Sequence, residues 1–174
     1  DLRDSDISGS NFSKAVLTDA QFRSAELRGS NFTKVDARGA TFRDADLSGA
    51  TFTGARLDQA SFRDADLSSA NLRGASFTGS DFRDADLSQA YIGGGADLSR
   101  ARGLTQDQID EACADSSTRL PAGLVAKACS RHSPVRMVAQ PMPAMMPTLK
   151  PAPPAPPAPP APPAPRYLVE VEAR

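Results

Sequence analysis

The chain has 174 residues, 20 basic against 21 acidic, and 40% of it is hydrophobic, enough for one domain with something added. One His and two Cys are too few ligands for a standard multi-ligand metal site. The near-balanced charge gives no bulk attraction for nucleic acid or an anionic membrane, and with no run of 18 apolar residues no transmembrane helix is expected. All 15 prolines lie after position 120 and all eight phenylalanines before position 83, so a single mixed domain over the whole length is excluded.

The front of the chain repeats with a period of five. Taking every fifth residue from Leu2 to Ile92, eighteen of nineteen are large and apolar, Ala37 being the exception. The residue two before each is Ala or Ser in seventeen of eighteen cases, from Ser5 to Ala90, and the exception is Val35, in the same repeat as Ala37. That pair reads as a small–large exchange at constant volume. Five is neither the helical nor the strand period. A chain that turns a corner every five residues accounts for it, with one large and one small side chain inward and three side chains outward. Four such sides make a coil of about 20 residues, and coils stack at roughly 4.8 Å. Gly recurs two residues after the large one, at Gly9, Gly29, Gly39, Gly49, Gly54, Gly74 and Gly79, where a tight turn is expected.

The pattern, typified by Ala45-Asp46-Leu47-Ser48-Gly49 and Ala65-Asp66-Leu67-Ser68-Ser69, resembles the pentapeptide-repeat family over residues 1–102. The resemblance implies an all-β, right-handed quadrilateral β-helix. Stacking the large residues by coil gives four walls. The first is Leu2, Phe22, Phe42, Phe62 and Phe82, and the second is Ile7, Leu27, Leu47, Leu67 and Leu87. The third, opposite the first, is Phe12, Phe32, Phe52, Leu72 and Ile92, and the fourth is Leu17, Ala37, Leu57 and Phe77. Facing phenylalanine ladders with aliphatics between them are expected to fill the interior, leaving no space there for a substrate or a pore.

Outside, the first wall carries an arginine stack, Arg3, Arg23, Arg43, Arg63 and Arg83, beside Asp4, Ser24, Asp44, Asp64 and Asp84. Next to these run Asp6, Glu26, Asp46, Asp66 and Asp86. Both acidic ladders are expected to offset the guanidinium repulsion. Two readings stand: a charge-paired edge that keeps the solenoid soluble, or a linear docking stripe for a protein partner.

The register breaks at Gly93-Gly94-Gly95, where one extra residue precedes Ala96-Asp97-Leu98, and a bulge closing the last coil is expected. Beyond it, Thr105 and Gln108 form a capping-box pair and Leu104 and Ile109 a hydrophobic staple. A helix from there to about Ala114 would cap the ladder ends over residues 103–131. Cys113 and Cys129 flank Leu120-Pro121-Ala122-Gly123-Leu124. The segment resembles the Cys-containing C-terminal extension of a bacterial subgroup of the family, many of whose members look exported. That resemblance implies a Cys113–Cys129 disulfide and a periplasmic or secreted location, the alternative being two reduced thiols in a cytosolic cap. His132 is close in sequence, but no third catalytic member is visible, so neither Cys is expected to act in catalysis.

Residues 132–165 are Met- and Pro-rich and end in a Pro-Pro-Ala repeat, a composition expected to stay extended or disordered as a polyproline II spacer. Residues 166–174 alternate in strand fashion from Tyr167 to Val171. The function expected is a non-enzymatic interaction scaffold without cofactor or metal, binding a protein partner or a second copy of itself and not nucleic acid. The resemblance also implies an alternative, a DNA mimic that binds DNA gyrase and modulates quinolone sensitivity. Residues 1–100, with 15 acidic and 12 basic residues, are less acidic than that role calls for.

Overall fold

A computed structural model describes residues 1–126 and Ala128, all within one compact unit, Asp1–Arg136. Successive coils pair in parallel at a spacing of 20 residues, as in Asp6 with Glu26, Asn11 with Asn31, Val16 with Asp36 and Gln21 with Thr41. Each wall contributes one bridged residue, so the expected paired strands reduce to isolated bridges: a corner every five residues leaves no room for a longer run. Three bonds per wall stitch neighbouring coils. Phe22 N–H donates to the Thr41 carbonyl (2.7 Å), Ser24 N–H to that of Arg43 (2.9 Å), and Asp46 N–H back to that of Ala25 (3.0 Å).

The corners are β-turns, closed for example by Ala25 N–H donating to the Phe22 carbonyl at 3.1 Å. Their third residue has positive φ, the requirement of a type II turn. Glycine holds that position at Gly49 (φ 65°), but Asp44, Gln59, Asp64 and Ser69 hold it too, at φ 56–61°. Gly was therefore only part of the turn signal.

From Phe22 onward the inward residues are sealed. Phe22, Phe32, Phe42, Phe52, Phe62, Leu27, Leu47 and Leu67 are all 0% exposed, and Leu87 is 1%. Val35 and Ala37 are both fully buried, their sizes exchanged within one repeat. Phe12 is only partly buried, since its coil has a described neighbour on one side alone. Rings stack along the first and third walls, Phe22 on Phe42 at 4.9 Å and Phe32 on Phe52 at 4.7 Å, and meet edge-on across the interior, Phe42 against Phe52 at 6.0 Å and 87°. Offset and edge-to-face geometries are the favoured ones, and one interior uses both.

The bridge spacing becomes 21 residues at Ser76–Asp97 and 22 at Tyr91–Cys113. The first increment is the glycine bulge. There Gly94 N–H donates to the Asp115 carboxylate at 2.6 Å and Gly95 N–H to Ser117 Oγ at 2.7 Å, while Tyr91 OH reaches Asp115 at 3.1 Å. The second increment is α1, Gln106–Glu111, which replaces the second wall of the next coil. Its capping box is complete, Thr105 Oγ1 accepting from Gln108 N–H and Gln108 Oε1 from Thr105 N–H. The helix stops at Glu111, short of the expected Ala114, because Ala112 turns extended (φ −81°, ψ 163°) and Cys113 rejoins the ladder against Tyr91.

α1 closes the solenoid. Ile109 is fully buried. Gln108 Nε2 donates to the carbonyls of Phe82 (3.0 Å) and Ala85 (2.7 Å), acceptors that no further coil reaches. Gln106 exchanges two 3.0 Å bonds with the Val125 backbone, its amide acting as a strand segment. Cys113 is half-buried and not a free thiol. Cys129, the spacer at 132–165 and the strand-like end at 166–174 lie outside the described residues.

Candidate interaction surface

The repeat backbone positions every outward side chain, because residues 20 apart occupy equivalent places on successive coils. Arg23, Arg43, Arg63 and Arg83 stand directly after the large residue of the first wall. Arg23 reaches forward to Asp44 (3.2 Å), Arg43 contacts Asp44 (3.5 Å) and Asp64 (3.8 Å), and Arg63 contacts Asp64 (3.3 Å). Asp44 and Asp64 sit at positive-φ corners, which aim their carboxylates between successive guanidinium groups. The Nε atoms of Arg43 and Arg63 are buried and make these ion-pair contacts without hydrogen-bond geometry. Their side chains are 39% and 38% exposed against 54% and 57% for Arg23 and Arg83, so the ladder is most constrained in its middle.

Arg83 departs from the pattern and pairs with Asp81 on its own coil. That hydrogen bond holds the Asp81 carboxyl below the ordinary carboxylate range. Such exposed pairs contribute about 0–1 kcal/mol each. Their order therefore contributes little to stability.

The second acidic ladder does not join the arginines, contrary to expectation. Asp6, Glu26, Asp46, Asp66 and Asp86 belong to the second wall, bridged to one another from coil to coil. Of these, Glu26 and Asp46 meet Arg28, at 3.3 and 2.6 Å. At Asp46 burial works to raise the pKa, and the Ser48 and Arg28 hydrogen bonds outweigh it, leaving the carboxyl below its usual range. Asp66 and Asp86 have no cationic partner among the described residues and instead accept Ser68 N–H and Ser88 N–H, both at 2.8 Å.

Two further features escaped the reading of the sequence, although stacking at 20 residues would have found both. The third wall carries Lys14, Lys34 and Arg73 among Asn and Thr side chains, with no acidic residue at its outward positions. On the fourth wall Arg38 grips Asp36 through two bonds, 2.7 and 2.9 Å, and keeps that carboxyl below the ordinary range. The walls are thus distinct in charge: alternating, acidic, basic and paired. Among the described residues no group of three or more His, Cys, Asp or Glu is placed to hold a metal ion, and no helix is long and apolar enough to cross a membrane.

The pentapeptide-repeats family pattern matches the chain in eight copies, over residues 1–33, 25–64 and 60–102. No curated protein sequence matches it. Among solved structures, HetL, a pentapeptide repeat protein involved in heterocyst differentiation regulation from the cyanobacterium Nostoc sp. strain PCC 7120, is similar at 24% identity with a TM-score of 0.55. The match covers 66% of this chain but only 55% of HetL, so this chain spans about half of that protein. A thylakoid-lumen pentapeptide repeat protein of Arabidopsis thaliana is 30% identical, covering 70% of this chain and 83% of its own, with a TM-score of 0.39. QnrB1, a plasmid-mediated fluoroquinolone resistance protein, is 25% identical over 64% of this chain and 65% of its own, with a TM-score of 0.32.

Proposed function

Since the chain belongs to the pentapeptide-repeat family, whose members are right-handed quadrilateral β-helices, we propose that it is a non-enzymatic scaffold that displays charged ladders to a protein partner. The observation that carries this reading is the arginine ladder Arg23, Arg43, Arg63 and Arg83, its first three members held in order by Asp44 and Asp64 and the last by Asp81, and still more than a third exposed at every side chain. Charges fixed at one repeat distance select a partner by register. The reading also joins Cys113 to Cys129 and puts the protein in an oxidising compartment, periplasmic or secreted. Supporting this, Cys113 is not free, and the Ala114–Ala128 bridge draws together the residues beside the two sulfurs. In this reading the spacer at 132–165 tethers the scaffold.

The test is charge reversal on the ladder. In cross-linking within the native host, Arg43→Glu with Arg63→Glu should lose the partner set that the parent and Ser48→Ala both retain. An unchanged set would sink the reading. A DNA-mimic role toward gyrase remains the second reading, favoured by the acidic ladder Asp6, Glu26, Asp46, Asp66 and Asp86. It requires potent inhibition in a supercoiling assay, lost when Asp66 and Asp86 are changed to Asn.

A further inference from the structure

Two adjacent walls carry opposite charges that their own coils leave uncompensated. On the second wall Asp6, Asp66 and Asp86 have no ion pair among the described residues, and on the third Lys14, Lys34 and Arg73 have none either. The three cations are exposed, as are Asp6 and Asp86, while Asp66 is half-buried. Both walls repeat every 20 residues, so the two patterns match coil for coil. Lys14 shares a coil with Asp6, Lys34 with Glu26, and Arg73 with Asp66. Each acidic residue stands one position before the large residue of its wall, and each lysine two positions after that of its own. Measured from the corner the two walls share, acidic residue and lysine both lie at the far end.

The shared corner itself is small. Its outward pairs are Ser8-Gly9, Ser48-Gly49 and Ser68-Ser69 in the first, third and fourth coils, and a Cβ at Gly9 or Gly49 would stand in open space. Arg28, in the second coil, lies back along its own wall on Glu26 (3.3 Å) and Asp46 (2.6 Å). Just past the corner, Asn11, Asn31 and Asn71 turn their side-chain oxygens to the N–H groups of Ser13, Thr33 and Arg73, at 3.0, 2.9 and 3.1 Å. Their amide NH2 groups remain as unused donors.

We infer that the second wall of one copy of this chain docks on the third wall of another, with the axes parallel and the coils level. Neighbouring walls of a four-sided coil face at right angles, so each copy is turned through a right angle from the last. A head-to-tail contact of that kind closes into a ring after four copies. In the ring the far-end carboxylates meet the far-end cations, the Asn amides face the Ser hydroxyls, and the small corners gather about the fourfold axis. An unrelated acidic partner would satisfy the third wall and leave the second unmatched, whereas another copy satisfies both. The first wall stays outside, so the ring goes beyond the scaffold reading and displays its arginine ladder four times.

Sedimentation velocity of the full chain tests this. At low ionic strength a species of four times the chain mass should form, and it should dissociate in about 1 M salt, where charges are screened beyond about 3 Å. Lys14→Glu with Arg73→Glu should abolish it, and so should Asp6→Lys with Asp66→Lys. Mixed in equal amounts, these two variants should restore it, since native walls then meet at one contact and reversed walls at the next. An unfolded variant could not do so. The inference is overturned if the parent stays monomeric at low salt, which would leave the third wall to an acidic partner. It is equally overturned if either variant assembles alone or if the mixture does not. Arg43→Glu with Arg63→Glu should leave the ring intact, so failure of the ring and failure of the ladder are read separately.

Discussion

Phe42 and Ser48 lie close in sequence and face opposite ways. Phe42 is fully buried, with the rings of Phe22 at 4.9 Å and Phe62 at 5.1 Å along its own wall. Replacing it with Ala removes both stacks and leaves a cavity, at a cost of about 3–5 kcal/mol. Ser48 points outward and loses only its 2.7 Å bond to Asp46 on replacement by Ala, so that change should stay within about 1 kcal/mol. Urea denaturation of the two variants decides whether side chains alternate as described; equal effects would refute it. The corners allow a second comparison. Gly49 (φ 65°) has open space where a Cβ would stand, whereas at Gly103 (φ 77°) a Cβ would lie 2.8 Å from the Arg83 backbone nitrogen. Gly49→Ala should cost about 1 kcal/mol, the left-handed strain alone. Gly103→Ala adds a clash with backbone that cannot yield, and its midpoint should fall well below that of Gly49→Ala. The small–large alternation was legible because burial forces it on every repeat. The left-handed corners were legible where Gly marks them and hinted at by Asp, which tolerates that region, whereas Gln59 and Ser69 take the same φ with no sign in their identity.

At the scale of elements, the cap turns on one amide. Gln108 closes the capping box with its oxygen and satisfies the Phe82 and Ala85 carbonyls with its nitrogen. Gln108→Glu keeps the first contact and sets a carboxylate against two carbonyls. A loss of about 2 kcal/mol is expected, two hydrogen bonds lost while the Phe82 carbonyl keeps its turn bond from Ala85 N–H. It should appear as faster hydrogen exchange confined to the last coil and α1, and uniform protection would count against it. The glycine bulge depends similarly on Asp115, whose carboxyl lies far below the usual range because Ser117 Oγ, Gly94 N–H and Ser117 N–H hydrogen-bond to its anion. A depressed folded pKa stabilises above the ordinary value near 3.8 and loses that contribution as pH falls below it. Asp115→Asn should accordingly melt below the parent at neutral pH, with the difference closing in strong acid; a difference independent of pH would show that the carboxylate charge is irrelevant. The start of α1 was readable from Thr105, Gln108 and the Leu104–Ile109 staple. Its end was not: Ala112 and Cys113 suit a helix, and only pairing with Tyr91 draws them back to the ladder. Arg83 keeps its place after Phe82, but that place gives no hint that Asp81 captures it.

For the whole molecule, the backbone bonds of the described coils run to the coils next to them, and α1 packs on the last one. A chain ending at Arg131 should melt within a degree or two of the full chain while losing whatever binding residues 132–174 carry; a large drop would show that those residues stabilise the coils. The charge of each wall was open to reading once residues 20 apart were stacked, but which ladders neutralise one another depends on side-chain reach across a corner, which stacking does not reveal. The interior has a different implication. Every wall offers a small and a large residue inside, but phenylalanines stack on the first and third walls while the second is aliphatic. Adding twenty residues lengthens the column by one storey with all ladders unbroken, as the 20-residue bridges require. Adding a single five-residue unit keeps a large residue inward but rotates everything after it by a quarter turn, so that an arginine row begun on the first wall continues on the second and the phenylalanine stacks end at the junction. Duplication of short gene segments thus becomes an angular adjustment as well as a longitudinal one. The lone extra residue at Gly93–Gly95 fits neither step, and it is accommodated where glycine and Asp115 can absorb the remainder.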